Sequence, residues 1–288
     1  MKKPLMPPFV GLLCAMVLSC AAGAQVTVTY DSSICDTFTG RVYVMLGQGR
    51  QEPRFGPAWF NPAPFFGLDV VDWKAATPLV IDDSAHGFPD IMSVTPDGEW
   101  ILQAVLRRDL DSPSIGGGHG TGYSAQQTVR VSGGRGLRAT VHIDRTVIRT
   151  PPRSSDRVRH IELRSDLLSD FHGRDVIMRA AVILPKGYDD APARRYPTYY
   201  WVTGFGGSSR GADRFVPMWD ATGHDDDMVW VVPDPQCYGG HHVFADSANN
   251  GPRGAALTEE LIPHIESTFR VVSAPTARFL GGHSSGGW

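Results

Sequence analysis

One serine of this chain lies in a setting that predicts a nucleophile. Ser284 is the third residue of the sequence GHSSG at 282–286, which follows the apolar residues FL at 279–280. A Gly-x-Ser-x-Gly pattern after a short strand is typical of a turn so tight that its flanking positions must be nearly free of side chains. Such a turn raises the serine hydroxyl above the sheet edge and leaves the next backbone N–H free to bind an oxyanion. The pattern predicts nucleophilic attack on an acyl carbon.

A glycine-rich loop at 204–207, with the sequence GFGG, is a candidate for the same site. It follows an apolar strand predicted over 196–203. Gly204 and Gly206 allow backbone amides to approach a ligand closely, and open α/β folds bind ligands at the carboxyl edge of their sheet. We therefore expect this loop to donate backbone hydrogen bonds to a reacting oxygen.

Three further patterns indicate less chemistry. His241 and His242 follow a predicted strand end, but adjacent histidines point apart in an extended chain, so we expect contact with substrate in the cleft at most. The sequence HDDD at 224–227 is more typical of a solvated turn than of a cation site. The sequence GGGHGTG at 116–122 is similar to the oxyanion loops of some lipases, but it lies far upstream, and we expect a mobile loop. We expect no metal and no cofactor.

The sequence PAWFNPAPFFG at 57–67 concentrates aromatic and proline residues. Such a cluster can stack on a sugar or an aromatic ligand. It can equally pack a loop onto its own or a neighbouring domain, which is the more common role. The sequence leaves both interpretations open.

Two regions of different character must position these residues. Residues 25–150 contain short, mostly alternating apolar runs separated by Gly, Pro, Asp and Ser, which predicts an all-β, sandwich-like domain. Residues 151–157 form a polar, proline-containing linker. From 158 onward, a predicted hairpin is followed by a strand at 196–203, a helix at 213–219, a strand at 228–233, a helix at 255–269 and the strand before Ser284. Pro263 should kink the last helix or delay its start. Alternating strands and helices predict a mostly parallel sheet with covering helices.

The second region, residues 158–288, resembles the α/β-hydrolase fold and, within it, the putative esterase family of esterase D and the enterochelin esterases. The residues that carry the resemblance are LPKGY at 184–188, RYP at 195–197, GFGG at 204–207, ELIPHIE at 260–266 and GHSSGG at 282–287. The resemblance implies that Ser284 is the nucleophile. It also implies an oxyanion hole made by the backbone N–H groups of Ser285 and Phe205.

The chain departs from the family pattern after the serine. In this fold the triad acid and histidine follow the nucleophile in the chain, whereas only residues 285–288 follow it here. His283 leaves the turn in another direction and is not assigned as the base. The sequence therefore predicts a serine ester hydrolase that is truncated after the nucleophile turn and inactive as a fragment. An acyltransferase of the mycolyltransferase kind and a non-catalytic exported binding protein remain alternatives.

The N-terminus predicts export. Residues 1–24 combine a basic start, an apolar run from 9 to 18 and the sequence AGA at 22–24, which is typical of a secretory signal peptide. The apolar run is too short for a stable membrane span. Cleavage after Ala24 is favoured over a lipoprotein site at Cys20. We expect a periplasmic or extracellular protein.

The net charge of the chain limits the kinds of partner that it can bind. Loss of residues 1–24 removes Lys2 and Lys3 and no acid, which changes the formal charge from −3 to −5. Such a chain has no basic surface for nucleic acid. Its expected partner is a small-molecule or saccharide ester, and its oligomeric state is left open. Cys35 and Cys237 can pair in an oxidising compartment or remain free thiols.

Overall fold

The computed structural model describes residues 23–223 and 227–288. The predicted signal peptide, apart from its last two residues, and positions 224–226 of the sequence HDDD lie outside these ranges. Within them, no helix combines the length and the apolar composition that a membrane crossing needs. Cys35 and Cys237 are free thiols.

The first sheet has nine strands in the order β4-β1-β9-β7-β6-β2-β3-β5, with β8 also paired to β6. All pairs are antiparallel except β1 with β9. The strands are β1 Gln25–Tyr30, β2 Thr37–Gly47, β3 Phe65–Lys74, β4 Leu79–Asp82, β5 His86–Phe88, β6 Gly98–Leu106, β7 Gly122–Ser124, β8 Gln127–Val131 and β9 Arg138–Thr146. The sequence predicts a sandwich here, whereas the strands pair as one continuous sheet around a shared core.

Alternating side chains explain how this sheet is buried. In β2, Val42, Val44 and Leu46 join the main core, while Tyr43 and Met45 pack on the opposite face. This follows from the period of two residues in a strand. The sheet therefore buries apolar side chains on both faces along β2, and residues 107–121 run between β6 and β7.

The second sheet has five strands in the order β10-β11-β13-β12-β16. They are β10 Val158–Arg164, β11 Ile177–Ile183, β12 Thr198–Val202, β13 Val229–Pro233 and β16 Arg278–Gly282. Strands β12, β13 and β16 are parallel, and β11 is antiparallel to both of its neighbours. A two-stranded ribbon, β14 Gln236–Cys237 and β15 Gly240–His241, follows β13. The parallel strands end at one edge, and β16 carries the chain there directly into GHSSG.

Among the described residues, three regions of α-helix accompany this sheet, besides short 3₁₀ segments. Helix α1 spans Asp166–His172, and α2 spans Phe215–Asp220 after a 3₁₀ segment at Ser209–Arg214. The third, α3, consists of Arg253–Ala255, a π-helical turn at Ala256–Leu261 and Ile262–Thr268. Pro263 has no N–H and its ring would clash with a carbonyl of the preceding regular turn. The wide π turn accommodates it, so the helix runs through the proline.

Polar contacts join the two sheets. Arg174 donates two hydrogen bonds to the carboxylate of Asp111, at 2.9 and 2.7 Å. Glu162 on β10 accepts from Arg179 at 2.8 Å and from Arg149 at 3.3 Å. A cavity of about 660 Å³ lies between the sheets and is lined by charged and polar groups, among them Asp111, Glu162, Arg179, His242 and Arg253. Ser284 does not line it.

Candidate active site

Ser284 lies in a tight turn at the end of β16. Its φ of 55° is in the left-handed region, which a residue with a side chain rarely adopts. Hydrogen bonds on both sides fix the turn: His283 N–H donates to the Val202 carbonyl at 3.2 Å, and Gly286 N–H donates to the His283 carbonyl at 2.9 Å. A strained backbone held by its surroundings in this way is typical of functional sites. The turn leaves the Ser284 side chain exposed.

The glycines of GHSSG are required by the packing of this turn. A Cβ atom on Gly282 would lie 1.9 Å from the Gly286 carbonyl oxygen. A Cβ atom on Gly286 would lie 2.3 Å from the carbonyl oxygen of Val202 on the neighbouring strand. Both distances are far below van der Waals contact, and both involve backbone that cannot move aside. The spacing of the two glycines around Ser284 therefore has a steric cause.

The loop after β12 lies against this turn. A Cβ atom on Gly204 would be 3.0 Å from Ser284 Cβ. The loop folds back through a hydrogen bond from Gly207 N–H to the Gly204 carbonyl at 2.9 Å, with Gly206 at a φ of 81°. The structure thus brings together GFGG and GHSSG, which are more than seventy residues apart in the sequence. Phe205 is one residue from the contact with Ser284.

Ser285 occupies the first turn of a short helix. This 3₁₀ helix spans Ser284–Gly287, and the first N–H groups of a helix have no acceptor within it. The N–H of Ser285 is one of these groups. The Ser285 hydroxyl is buried and has no hydrogen-bond partner among the described residues.

His241 supports the loop after β12 and is not free to act as a base. Its Nε2 lies 2.8 Å from the Thr203 carbonyl oxygen, and its Nδ1 accepts from Val243 N–H at 3.1 Å. Because Nδ1 accepts, the proton is on Nε2, which donates to Thr203. Both ring nitrogens are therefore used: Nε2 holds the end of β12, and Nδ1 holds the loop that contains His241 itself.

His242 points away from this loop into the protein. It is 3% exposed, and its Nδ1 accepts from Phe244 N–H at 3.1 Å. Burial, assisted by the positive charge of Arg253, lowers the pKa of His242 to about 3. The ring is neutral at physiological pH and lines the cavity between the sheets. The sequence assigns both histidines to one possible substrate cleft. In the structure they lie in two different environments.

The aromatic ring within GFGG contacts a second aromatic ring, which comes from a loop of the first sheet. The Phe205 ring packs over Gly240, where a Cβ atom would lie 2.5 Å from it. The Trp59 ring contacts Phe205 with a centroid distance of 5.2 Å. Trp59 comes from the aromatic, proline-rich stretch at 57–67, whose role the sequence left open. The proximity of Trp59 to this loop depends on a contact between the sheets, which no local pattern encodes.

Asp234 is a group that the sequence did not single out. It follows the end of β13 and accepts hydrogen bonds from the Ser209 hydroxyl at 3.1 Å and from Gln236 N–H at 3.2 Å. Burial raises the pKa of its carboxyl, although these hydrogen bonds oppose the change. No group of three or more His, Cys, Asp or Glu residues that could hold a metal ion occurs in 23–223 or 227–288.

Comparison with known proteins bears out the family resemblance. Residues 174–288 match the family model described as putative esterase. This segment contains both GFGG and GHSSG. No curated protein matches the chain.

Solved structures include several similar esterases and hydrolases. A ferulic acid esterase is 20% identical over 45% of this chain and 51% of its own, with a TM-score of 0.37. An S-formylglutathione hydrolase from Agrobacterium tumefaciens is 18% identical over 48% of this chain and 53% of its own, with a TM-score of 0.36. A fluorophosphonate-binding serine hydrolase of Staphylococcus aureus is 17% identical over 47% of this chain and 49% of its own, with a TM-score of 0.35. The chain thus spans about half the length of these proteins, and TM-scores this low do not establish a common fold.

Proposed function

From the match of residues 174–288 to the putative esterase family, we propose that this chain carries the nucleophile and oxyanion hole of a serine ester hydrolase. The observation that carries the proposal is the strained turn at Ser284 packed against Gly204. Strain of this kind costs about 1–3 kcal/mol and persists only where the surroundings impose it. A catalytic role for Ser284 would explain why the fold maintains this strained backbone beside the loop at Gly204.

The chemistry follows from the geometry of the two loops. The Ser284 hydroxyl attacks the ester carbonyl carbon and loses its proton to a base, and the carbonyl oxygen becomes an oxyanion. The N–H groups of Ser285 and Phe205 donate hydrogen bonds to that oxyanion. Collapse of the tetrahedral intermediate expels the alcohol, which takes up a proton, and leaves an acyl group on Ser284. Water then releases the acid and restores the serine.

The base is the part of the site for which these residues offer no candidate. Across the described ranges, no side chain hydrogen-bonds to the Ser284 hydroxyl, and both nitrogens of His241 are already used. We propose that the histidine and acid of the triad come from residues outside this chain. The 288-residue chain alone is then inactive, because a protonated serine with oxyanion donors retains only a small residual rate.

Ester hydrolysis and acyl transfer share every step up to the acyl-enzyme. They differ in whether water or an alcohol attacks the acyl group on Ser284. A protein that contains this chain and its triad partners should release acid from a p-nitrophenyl ester, and Ser284→Ala should abolish that release. Formation of a new ester with an added alcohol, in place of free acid, would favour the transferase. Turnover that survives Ser284→Ala would contradict both.

We also propose that the protein is exported. The observation in favour is that β1 begins at Gln25, directly after the expected cleavage site. Ala24 packs in the core, so a start at Gln25 removes one buried methyl group. N-terminal sequencing of the protein recovered from a bacterial periplasm or medium should give Gln25 first. An intact Met1 would overturn this proposal, whereas a lipid on Cys20 would overturn only the cleavage after Ala24.

A further inference from the structure

Two aromatic side chains from different sheets meet beside the proposed nucleophile. Trp59 lies in the loop before β3, and Phe205 follows Gly204, the residue packed against Ser284. Their ring planes are inclined by 58° at a centroid distance of 5.2 Å. Trp59 nevertheless remains 73% exposed and Phe205 54% exposed. Mutual packing therefore leaves much of both rings open to solvent, at the position where a substrate must approach.

The Phe205 ring is also supported from the ribbon β14–β15. Gly240 in that ribbon has a φ of 121°, and a Cβ atom there would collide with the ring at 2.5 Å. Tyr238, at the turn of the ribbon, is bound to the first sheet: the Arg107 guanidinium lies 3.7 Å from its ring centroid and donates to its carbonyl at 3.3 Å. Two residues from the first sheet and its loops therefore lie near Phe205: Trp59, which contacts its ring, and Arg107, which binds the neighbouring ribbon.

We propose that Trp59 and Phe205 form an aromatic wall that binds an aromatic ring of the ester substrate. The first sheet would then help to determine the specificity of a nucleophile that lies on the second. This inference rests on the proposed ester hydrolase function. Aromatic rings gain from offset or edge-to-face contacts beyond the area that they bury, so such a wall favours an aromatic group over an alkyl group of similar size.

The residues around the wall favour an aromatic ring over a sugar. The loop sequence PAWFNPAP at 57–64 offers one polar side chain, that of Asn61. A sugar stacked on Trp59 would need several hydrogen-bond partners for its hydroxyls, because polar groups that lose water without replacement cost free energy. An aromatic ring makes no such demand.

A binding measurement tests the wall without any need for turnover. The probe is cinnamamide, which has an aromatic ring and an amide that serine hydrolases cleave poorly, titrated by calorimetry into a protein that contains this chain and its triad partners. Trp59→Ala should weaken binding about tenfold. Phe60→Ala is the matched control, since Phe60 is the next residue, is 94% exposed and has no ring contact within the described ranges. Unchanged binding by Trp59→Ala, or an equal loss in both variants, would overturn the wall.

Kinetics then show which part of the ester meets the wall. Methyl cinnamate carries the ring on its acyl group, benzyl acetate carries it on its alcohol, and methyl butyrate has no ring. Trp59→Ala should lower kcat/KM for one of the two aromatic esters about tenfold more than it lowers kcat/KM for methyl butyrate. Equal losses for all three esters would contradict the wall. If a protein that contains this chain and its triad partners hydrolyses none of them, the proposed function fails, while cinnamamide binding still decides the wall.

Discussion

Gly204 lies directly against Ser284, so that a methyl group on Gly204 would be 3.0 Å from Ser284 Cβ and 3.1 Å from the His283 carbonyl oxygen. This contact fixes the distance between the nucleophile and the loop that we propose as half of the oxyanion hole. Catalysis of this kind depends on donor positions to a fraction of an ångström.

Gly204→Ala should therefore lower kcat by about tenfold, because its methyl group displaces the two loops by a few tenths of an ångström. Gly211→Ala is the matched control: a Cβ atom at Gly211 has no atom within 4 Å and no unusual φ. Its kcat should stay within about twofold of the wild type. Both variants should melt cooperatively. Equal kcat for the two variants would show that the contact between Gly204 and Ser284 does not position the catalytic groups.

Phe205 has two separable contributions. Phe205→Pro removes the backbone N–H and should cost about a hundredfold or more in kcat for every ester. Phe205→Leu keeps the N–H and should leave turnover of methyl butyrate nearly unchanged, while it lowers kcat/KM for the aromatic ester that contacts the wall. If the leucine and proline variants lose equal activity on methyl butyrate, then the amide of Phe205 does not act on the oxyanion.

His242 should make stability depend on pH. Its pKa is about 3 in the folded protein and about 6.5 in an unfolded chain, so the unfolded state binds a proton that the folded state does not. Its contribution to the free energy of unfolding is complete above about pH 6.5 and declines as the pH falls, by at most about 1.4 kcal/mol per pH unit. Burial also lowers the pKa values of His160 and His172, which act in the same direction.

Urea unfolding between pH 6.5 and 5 measures this effect. Above pH 5 most carboxylates of the folded and unfolded protein remain charged. Asp234, whose pKa is raised by burial, acts on the slope in the opposite direction, so the readout is the difference in slope between variant and wild type. His242→Gln should reduce the slope of unfolding free energy against pH by up to about 1.4 kcal/mol per pH unit, which corresponds to one proton. The absolute stability of the variant is not the readout. A variant with the wild-type slope would mean that His242 is not buried as a neutral ring.

The two sheets should differ in their ability to stand alone. The first sheet has its own core, and we propose that residues 25–150 fold as a soluble unit. In the second sheet β16 is an edge strand within the described residues, with Leu280 72% exposed and Phe279 48% exposed. Exposed apolar edge strands promote aggregation. We expect a chain of residues 25–288 to be poorly soluble and inactive on p-nitrophenyl esters, and residues 25–150 to melt cooperatively. Soluble 25–288 with turnover that requires Ser284 would contradict this expectation.

The sequence predicted the turn at Ser284 and the loop after β12 better than it predicted what surrounds them. GHSSG and GFGG could be interpreted because tight turns demand glycine at fixed positions, and the sheet then places both at its carboxyl edge. The continuous helix through Pro263 was not predictable from local rules, since a π turn absorbs the ring. The position of Trp59 beside Phe205 and the different environments of His241 and His242 depend on contacts between distant segments. Such contacts leave no periodic signal in the sequence.

The site of covalent modification tests most directly whether Ser284 is the nucleophile. Treatment of a protein that contains this chain and its triad partners with a fluorophosphonate, followed by mass spectrometry of its peptides, locates the activated nucleophile. We predict a single adduct on Ser284, which disappears in Ser284→Ala and persists in Ser285→Ala, where the backbone N–H is retained. An adduct on another residue, or no adduct on Ser284 in a protein that hydrolyses esters, would contradict this prediction.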